Sequence, residues 1–352
     1  YVSGVIFSVS TVGSIVGSIA ATFFLIPHFP LPLILEVIGS VLLCTGVIGY
    51  ILNGGNTRTV IPLMMIVATV TYFGAPTTQK QFVYSERGLY SNLDVEDSVY
   101  ANKPARILRQ GRMRSGIMNR ENLEPLLGYM FYYELAPYIT PSFEHALIIG
   151  GGAYLMPRDM LSLYPALEVD VVEIEPALKG IAERFFNLTD DARLSNYTID
   201  ARVHLRNTDK KYDLIFNDAY ATDFSPPPHL ITREFFELAR ARQTAEGVYM
   251  MNVLGTLATS TDALVYSAIA TLREVYPFVY TFATAGTTTS GRQNFVIVGA
   301  QRDVDALTLP DKYRTHLLSP NKSSDSAVVF TDAYSPVEFL SLSALPKDAQ
   351  QY

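Results

Sequence analysis

The stretch His145-Ala-Leu-Ile-Ile-Gly-Gly-Gly-Ala-Tyr-Leu155 decides how this chain of 352 residues is to be read. It is a short apolar run that ends in three glycines and then enters a helical pattern. A parallel strand delivers a ligand to the start of the following helix in this way. Glycine lets the backbone come close to the ligand, and the helix end offers unpaired N–H groups. A second apolar run, Val169-Asp-Val-Val-Glu-Ile174, sets Glu173 roughly twenty residues beyond the first glycine, where an acid can accept from both hydroxyls of a ribose. Glycine-rich turns also occur for packing alone. The acid closing the next strand turns the pattern toward a nucleoside.

The type of nucleoside follows from what the segment lacks. A dinucleotide site wants a third glycine where Leu155 stands, and the sequence has no Gly-Lys-Ser/Thr phosphate loop. S-adenosylmethionine, or a relative of it, fits a ribose-reading acid without a phosphate clamp.

Outward from that segment the pattern alternates. Strands are expected near 145–149, 169–174, 194–198, 212–217, 247–253, 277–282 and 293–299, with helices near 157–164, 176–186, 232–243 and 260–274. Such alternation calls for a parallel sheet covered on both faces. Only a Gly/Thr-rich turn separates the last two strands, so they are expected as an antiparallel hairpin at the sheet's edge. That ending is typical of S-adenosylmethionine-dependent transferases. Upstream, short alternating runs over 80–115 predict a small antiparallel sheet, and 122–137 reads as helical. The tail beyond Asp303 reads as irregular. The fold class is therefore α/β: a Rossmann-like S-adenosylmethionine-dependent transferase domain (141–345) with a small N-terminal β-sheet domain (77–140).

Ligand-contacting residues in such sheets lie at the carboxyl ends of strands. Glu173, Asp200 and Asp218 meet that test at three successive strands. Each alone could be a cap or a solvated turn residue. Asp218 stands apart, because Leu214-Ile-Phe-Asn-Asp218 brings a carboxylate out of a buried strand, where a charge is costly without a partner. A cationic substrate centre would supply one.

Residues 1–76 suit a different solvent. Up to Gln79 the only formally charged side chains are Glu36 and Arg58. Apolar stretches cover 2–26, 33–52 and 59–73. The first two are long enough to cross a hydrocarbon core, which takes about 20 helical residues, and the third could span only with its flanks. No basic start marks a signal peptide. Gly13 and Gly17, with Ser10, Ser14 and Ser18, form a small-residue face that suits close helix packing in lipid. Glu36 follows Pro30 and Pro32 and is expected in the first turn of a helix. The start in apolar sequence reads as a piece of a longer protein with more membrane helices upstream. The single cysteine, Cys44, excludes disulfides within the chain and cysteine zinc sites. A net charge of −7 with no basic cluster speaks against nucleic acid.

Taken together, Ser10-Thr-Val-Gly-Ser14, Ile148-Ile-Gly-Gly-Gly152, Val172-Glu-Ile-Glu175, Tyr212-Asp-Leu-Ile-Phe-Asn-Asp-Ala219, His229-Leu-Ile-Thr-Arg-Glu-Phe235 and Thr331-Asp-Ala-Tyr-Ser-Pro-Val-Glu338 resemble the spermidine synthase (polyamine aminopropyltransferase) family. More narrowly, they resemble a bacterial branch in which that domain is fused to membrane helices like those of major-facilitator transporters. The resemblance implies that Gly150, Gly151 and Gly152 flank the nucleoside and Glu173 holds the ribose. It further implies that Asp200, with Ala201, contacts the adenine amino group. Asp218 is implied as the catalytic acid, with Tyr220 beside it as a hydrogen-bonding group. Tyr129 and Asp223 are implied in amine binding. The implied donor is S-adenosylmethionine or its decarboxylated form, with no metal.

The departures fall on the amine side. Ala153 and Tyr154 stand where family members that make spermidine have Asp-Gly, and Met130 and Arg114 fall near family glutamines. Alanine cannot hold the ammonium of a decarboxylated donor. An intact donor's carboxylate is expected instead on the N–H groups of the Gly152 turn. Three readings stay open: aminopropyl transfer, transfer of another group (most simply methyl), and a nucleoside-sensing module on a transporter-like membrane domain. The expected partners are a small-molecule amine and membrane lipid, with room for a homodimer. The expected location is the inner or plasma membrane, multi-pass, with the transferase domain cytoplasmic.

Overall fold

The structure is a computed structural model that describes residues 2–29, 31–54, 82–222, 224–256, 263–288, 291–319 and 327–343. The chain divides into two compact units, residues 1–80 and 81–352. The apolar stretch 59–73 and Arg58 lie outside the described residues.

The first unit contains α1 (Val2–Ala20), which continues through a π-helical turn, Ala21–Leu25, and α2 (Leu31–Leu52). Two spans, Ser3–Leu25 and Leu33–Leu52, are long and apolar enough to cross a membrane. Their large side chains face outward; Phe7 is 76% and Leu52 80% exposed, an arrangement that suits lipid and is costly in water. Ser8, Thr11 and Ser14 turn their hydroxyls back onto carbonyls four residues earlier, at 2.9 Å, so these polar groups are satisfied within the helix. Glu36 does not lie in a first turn. The helix already begins at Leu31, which carries Glu36 past the N–H groups that would favour a carboxylate.

The second unit opens with an antiparallel meander, β1 (Tyr84–Arg87), β2 (Asn92–Tyr100), β3 (Lys103–Gln110) and β4 (Met113–Asn119). The β2–β3 turn takes positive φ at Ala101 and Asn102 (47° and 61°), the backbone a tight two-residue hairpin requires. The helix expected over 122–137 begins only at Gly128 and is largely 3₁₀. Leu126 donates back to Ile117 across β4, and only Gly128–Leu135 (3₁₀) and the single turn Ala136–Ile139 are helical. Pro125 pairs with Met118 in an isolated antiparallel bridge, so the segment stays extended until Gly128.

The main sheet has seven strands: β5 (His145–Ile149), β6 (Glu168–Val172), β7 (Leu194–Tyr197), β8 (Tyr212–Asn217), β9 (Gln243–Gly255), β10 (Phe278–Ala283) and β11 (Gln293–Ala300). Their order is β10-β11-β9-β8-β5-β6-β7. From β9 to β7 the pairing is parallel, and β11 runs antiparallel to both its neighbours. The helices between its strands are α3 (Leu155–Leu163), α4 (Leu178–Phe185), α5 (Ala201–Asn207), α6 (Arg233–Ala241) and α7 (Ala263–Arg273), and the tail expected as irregular adds Asp311–Arg314 and Val337–Ser343. Along β5, Ala146 and Ile148 join one buried cluster, while Leu147 and Ile149 join the other. This sorting follows from the two-residue period of a strand and leaves apolar packing on both sheet faces.

Two further strand acids are structural. Asp170 receives the Tyr212 hydroxyl at 2.8 Å and Lys210 at 3.0 Å. Asp213 accepts from the backbone of Glu144 and His145. The chain leaves β5 for β6 on one side, and β8 lies on the other. The carboxyl ends of β5 and β8 therefore flank a switch point of strand order, where ligands bind in open α/β sheets.

Candidate active site

A cavity of about 1150 Å³ opens at that switch point. Its floor is the turn after β5. Gly150 sits at φ 93° and donates to Val172 O at 2.9 Å, and a Cβ there would lie 2.8 Å from the carbonyl of Asp218. Gly152 sits at φ 51°, with the Ser115 carbonyl 2.7 Å from where its Cβ would be. Backbone from both flanking elements thus fills the space a side chain would need. Tyr154 holds left-handed backbone at φ 55° without being glycine. Its ring lies under Gly151, and its hydroxyl donates to Asn196 Oδ1 at 2.5 Å.

Glu173, at the end of β6, is buried. Its Oε2 accepts from Gly151 N at 2.7 Å and Gly152 N at 3.4 Å, and Oε1 accepts from Glu175 N at 2.9 Å. Burial pushes its carboxyl above the ordinary glutamate value, against the pull of those N–H groups. The N–H groups of the glycine turn, expected to receive a donor carboxylate, are thus already directed at Glu173. That expectation is corrected.

Asp200 ends the segment after β7 and caps α5, its Oδ1 accepting from Arg202 N and Val203 N. Its other oxygen meets His229 Nε2 at 2.9 Å. Burial alone would raise this carboxyl, but the hydrogen bonds from His229 and the helix start outweigh it and hold it low. Ala201, Ile199 and Ile174 line the same end of the cavity.

Asp218 follows β8, and its N–H donates to Ile149 O at 2.8 Å, which ties the ends of the two strands together. Its Oδ2 accepts from the Tyr129 hydroxyl and its Oδ1 from Asn252 Nδ2, each at 2.9 Å. Burial pushes its carboxyl up to about 7, with the Asn252 and Tyr129 bonds acting in the opposite direction. A carboxyl so poised exchanges a proton near neutral pH. Tyr220 is one step removed, its hydroxyl donating to Asn252 O at 3.3 Å. The tyrosine hydroxyls at 129 and 220 are raised by burial first and by the nearby Asp218 charge second, so both stay protonated donors.

The cavity brings together Gly150–Gly152, Glu173, Asp200, Ala201, Asp218, Tyr220 and Tyr129, along with Met130 and Arg114. Asp223 lies outside the described residues. Sequence reasoning missed Asn252 and Asn294. Asn294 donates to Asn252 Oδ1 at 2.9 Å and so fixes the amide that holds Asp218. An asparagine inside the apolar run Met250-Met-Asn-Val253 was the available signal, since a buried amide needs partners. His229 opens one of the segments that carry the resemblance but was not assigned to the site, and nothing in the spacing marks Ser115.

Comparisons with known proteins agree on the class of domain. Residues 134–307 match the family described as the Spermine/spermidine synthase domain. A polyamine aminopropyltransferase of Vibrio vulnificus is 35% identical over 146 residues, covering 41% of this chain and 47% of the relative. An eEF1A lysine and N-terminal methyltransferase of Xenopus laevis is 29% identical over 143 residues, covering 38% of this chain and 20% of the relative. The chain thus spans less than half the length of these curated relatives. Among solved structures, a probable spermidine synthase from Corynebacterium glutamicum superposes with TM-score 0.56 at 20% identity, over 65% of this chain and 84% of that one. The spermidine synthase from Thermotoga maritima gives 0.50 at 19%, over 77% and 87%. These likenesses establish a Rossmann-like α/β fold of the S-adenosylmethionine-dependent transferase type.

Proposed function

We propose, from the Spermine/spermidine synthase domain at residues 134–307, that this protein is a transferase moving an alkyl group from a nucleoside sulfonium to an amine. The donor is S-adenosylmethionine or its decarboxylated form, and aminopropyl transfer is the nominal activity. The carrying observation is Asp218, held between Tyr129 and Asn252 beside the glycine turn and poised at about 7. Glu173 accepts from the ribose hydroxyls, Asp200 faces the adenine amino group with Ala201 beside it, and Gly150–Gly152 bring the backbone close to the nucleoside.

In this account Asp218 does two things. As a carboxylate it accepts the proton of the attacking amine, and it stabilises the positive charge that develops on that nitrogen. Tyr129 and Asn252 fix its two oxygens toward the cavity, so the amine meets a positioned base. Tyr220 steadies the Asn252 backbone, and Tyr129 bounds the amine's side of the cavity. The spans Ser3–Leu25 and Leu33–Leu52 anchor the protein in a membrane. Because the donor is made in the cytosol, the transferase domain faces the cytoplasm.

The test is turnover by the detergent-solubilised chain with a sulfonium donor and a primary amine, followed by release of methylthioadenosine. No release with any donor would remove this reading. A second reading, methyl transfer, draws support from the methyltransferase relative and from the apolar Ala153. It would show as release of S-adenosylhomocysteine.

A further inference from the structure

We infer that the donor arm is read by an anion site made of Ser115 and Arg114, so that the protein takes the intact, carboxylate-bearing sulfonium and transfers a 3-amino-3-carboxypropyl group. The inference rests on the transferase reading above. It concerns the wall that the arm must face once Glu173 has the ribose and Asp218 the reacting nitrogen. That wall is β4. A Cβ on Gly116 would come within 2.3 Å of the Ala153 Cβ, and the Ser115 carbonyl lies against Gly152.

The polar groups of this wall are basic or neutral. Ser115 Oγ is buried without a hydrogen-bond partner. Arg112 and Arg114 line the same cavity, and among the described residues neither forms an ion pair; Arg114 lies 6.0 Å from the Tyr100 ring centre. The acids lining the cavity among the described residues lie on other elements than β4 and keep their partners there. Glu173 is bound to the glycine turn, Glu175 accepts from Tyr90 N at 3.0 Å, Asp200 caps α5, and Asp218 holds Tyr129 and Asn252. On this wall an arm ending in ammonium would meet the like-charged guanidinium groups of Arg112 and Arg114, which is unfavourable away from water. A carboxylate would receive charge-assisted bonds from Arg114, and rotation of the buried, unpartnered Ser115 hydroxyl would add a further donor. The α-ammonium of the same arm then has the donor's own carboxylate beside it.

The chemistry closes without another reactant. The amine's lone pair forms a bond to the arm carbon next to sulfur. The carbon–sulfur bond breaks, its electron pair stays on sulfur, and neutral methylthioadenosine leaves. The proton of the new ammonium passes to Asp218 and then to solvent.

The experiment uses the full chain in detergent. Calorimetry measures S-adenosylmethionine, its decarboxylated form and methylthioadenosine, and mass spectrometry follows turnover with a primary amine. The intact donor should bind about tenfold or more tightly than the decarboxylated one, the scale of a hydrogen bond to a charged group. Arg114→Glu should reverse that preference by a similar factor and leave methylthioadenosine, which has no amino-acid arm, unchanged. The product should carry the amino-carboxypropyl mass, with methylthioadenosine released. Tighter binding of the decarboxylated donor, or an unchanged preference in Arg114→Glu, would overturn the anion site. Release of S-adenosylhomocysteine would overturn the group transferred. Failure to bind methylthioadenosine would instead refute the nucleoside site on which the inference stands.

Discussion

The Tyr129 hydroxyl donates to Asp218 Oδ2 across 89 positions of sequence at 2.9 Å, which binds the segment after the N-terminal sheet to the carboxyl end of β8. One oxygen of Asp218 is thereby fixed from outside the main sheet. Asn252 fixes the other from within it. The acid cannot rotate without breaking two hydrogen bonds, and it remains open to the cavity.

This arrangement sets a pH dependence. Asp218 must be ionised to accept a proton, so kcat/KM should fall on the acid side through about pH 7. Asn252 and Tyr129 favour the carboxylate, so removing either raises the carboxyl further. Asn252→Ala and Tyr129→Phe should each move the acid limb upward by about one pH unit or more, with activity recovering at higher pH. An unmoved limb would mean that another group titrates.

The same acid affects stability. Its folded value, about 7, lies above the ordinary carboxylate value. Its contribution is therefore fully present below that ordinary value and is lost as pH rises toward 7. The loss is at most roughly 4 kcal/mol. Asp218→Asn should melt at a higher temperature than the native chain at about pH 8 and near the native temperature at about pH 4. A lower melting temperature at both would contradict the burial argument.

Glu173→Gln replaces an acceptor-only group with one that has a single acceptor oxygen. Methylthioadenosine binding should weaken by about 1.5–3 kcal/mol, the scale for hydrogen bonds to a charged group. Because Glu173 also receives the Gly151 and Gly152 N–H groups, circular dichroism should accompany the titration. Unchanged affinity in a folded variant would remove the ribose assignment.

Residues 1–76 should keep the protein in the membrane fraction after alkaline carbonate washing, and a chain beginning near Thr77 should be soluble. Recovery of the full chain in the supernatant would exclude the membrane-spanning reading of Ser3–Leu25 and Leu33–Leu52.

The main sheet was legible in the sequence because its strands are buried on both faces and read as short apolar runs. β6 to β8 end in the acids that point to the cavity. The helical reading of 122–137 holds only from Gly128, because apolar spacing does not register the pairing of Pro125 and Leu126 with β4. The partners of the acids were not legible. Asn252 and Asn294 lie on β9 and β11, and which buried amide meets which carboxylate depends on strand order, set by long-range pairing. The double use of the glycine turn, as a floor for the cavity and as donor to Glu173, likewise appears only once β5 and β6 are side by side.

The central claim is that Asp218 is the base at a nucleoside sulfonium. The most direct measurement compares the native chain with Asp218→Asn in detergent, reading methylthioadenosine release with a primary amine and methylthioadenosine affinity by calorimetry. The account predicts that release falls by about 10²- to 10⁴-fold, the range for loss of a positioned acid or base, while nucleoside affinity stays within about threefold. Undiminished release by the Asp218→Asn chain would contradict it.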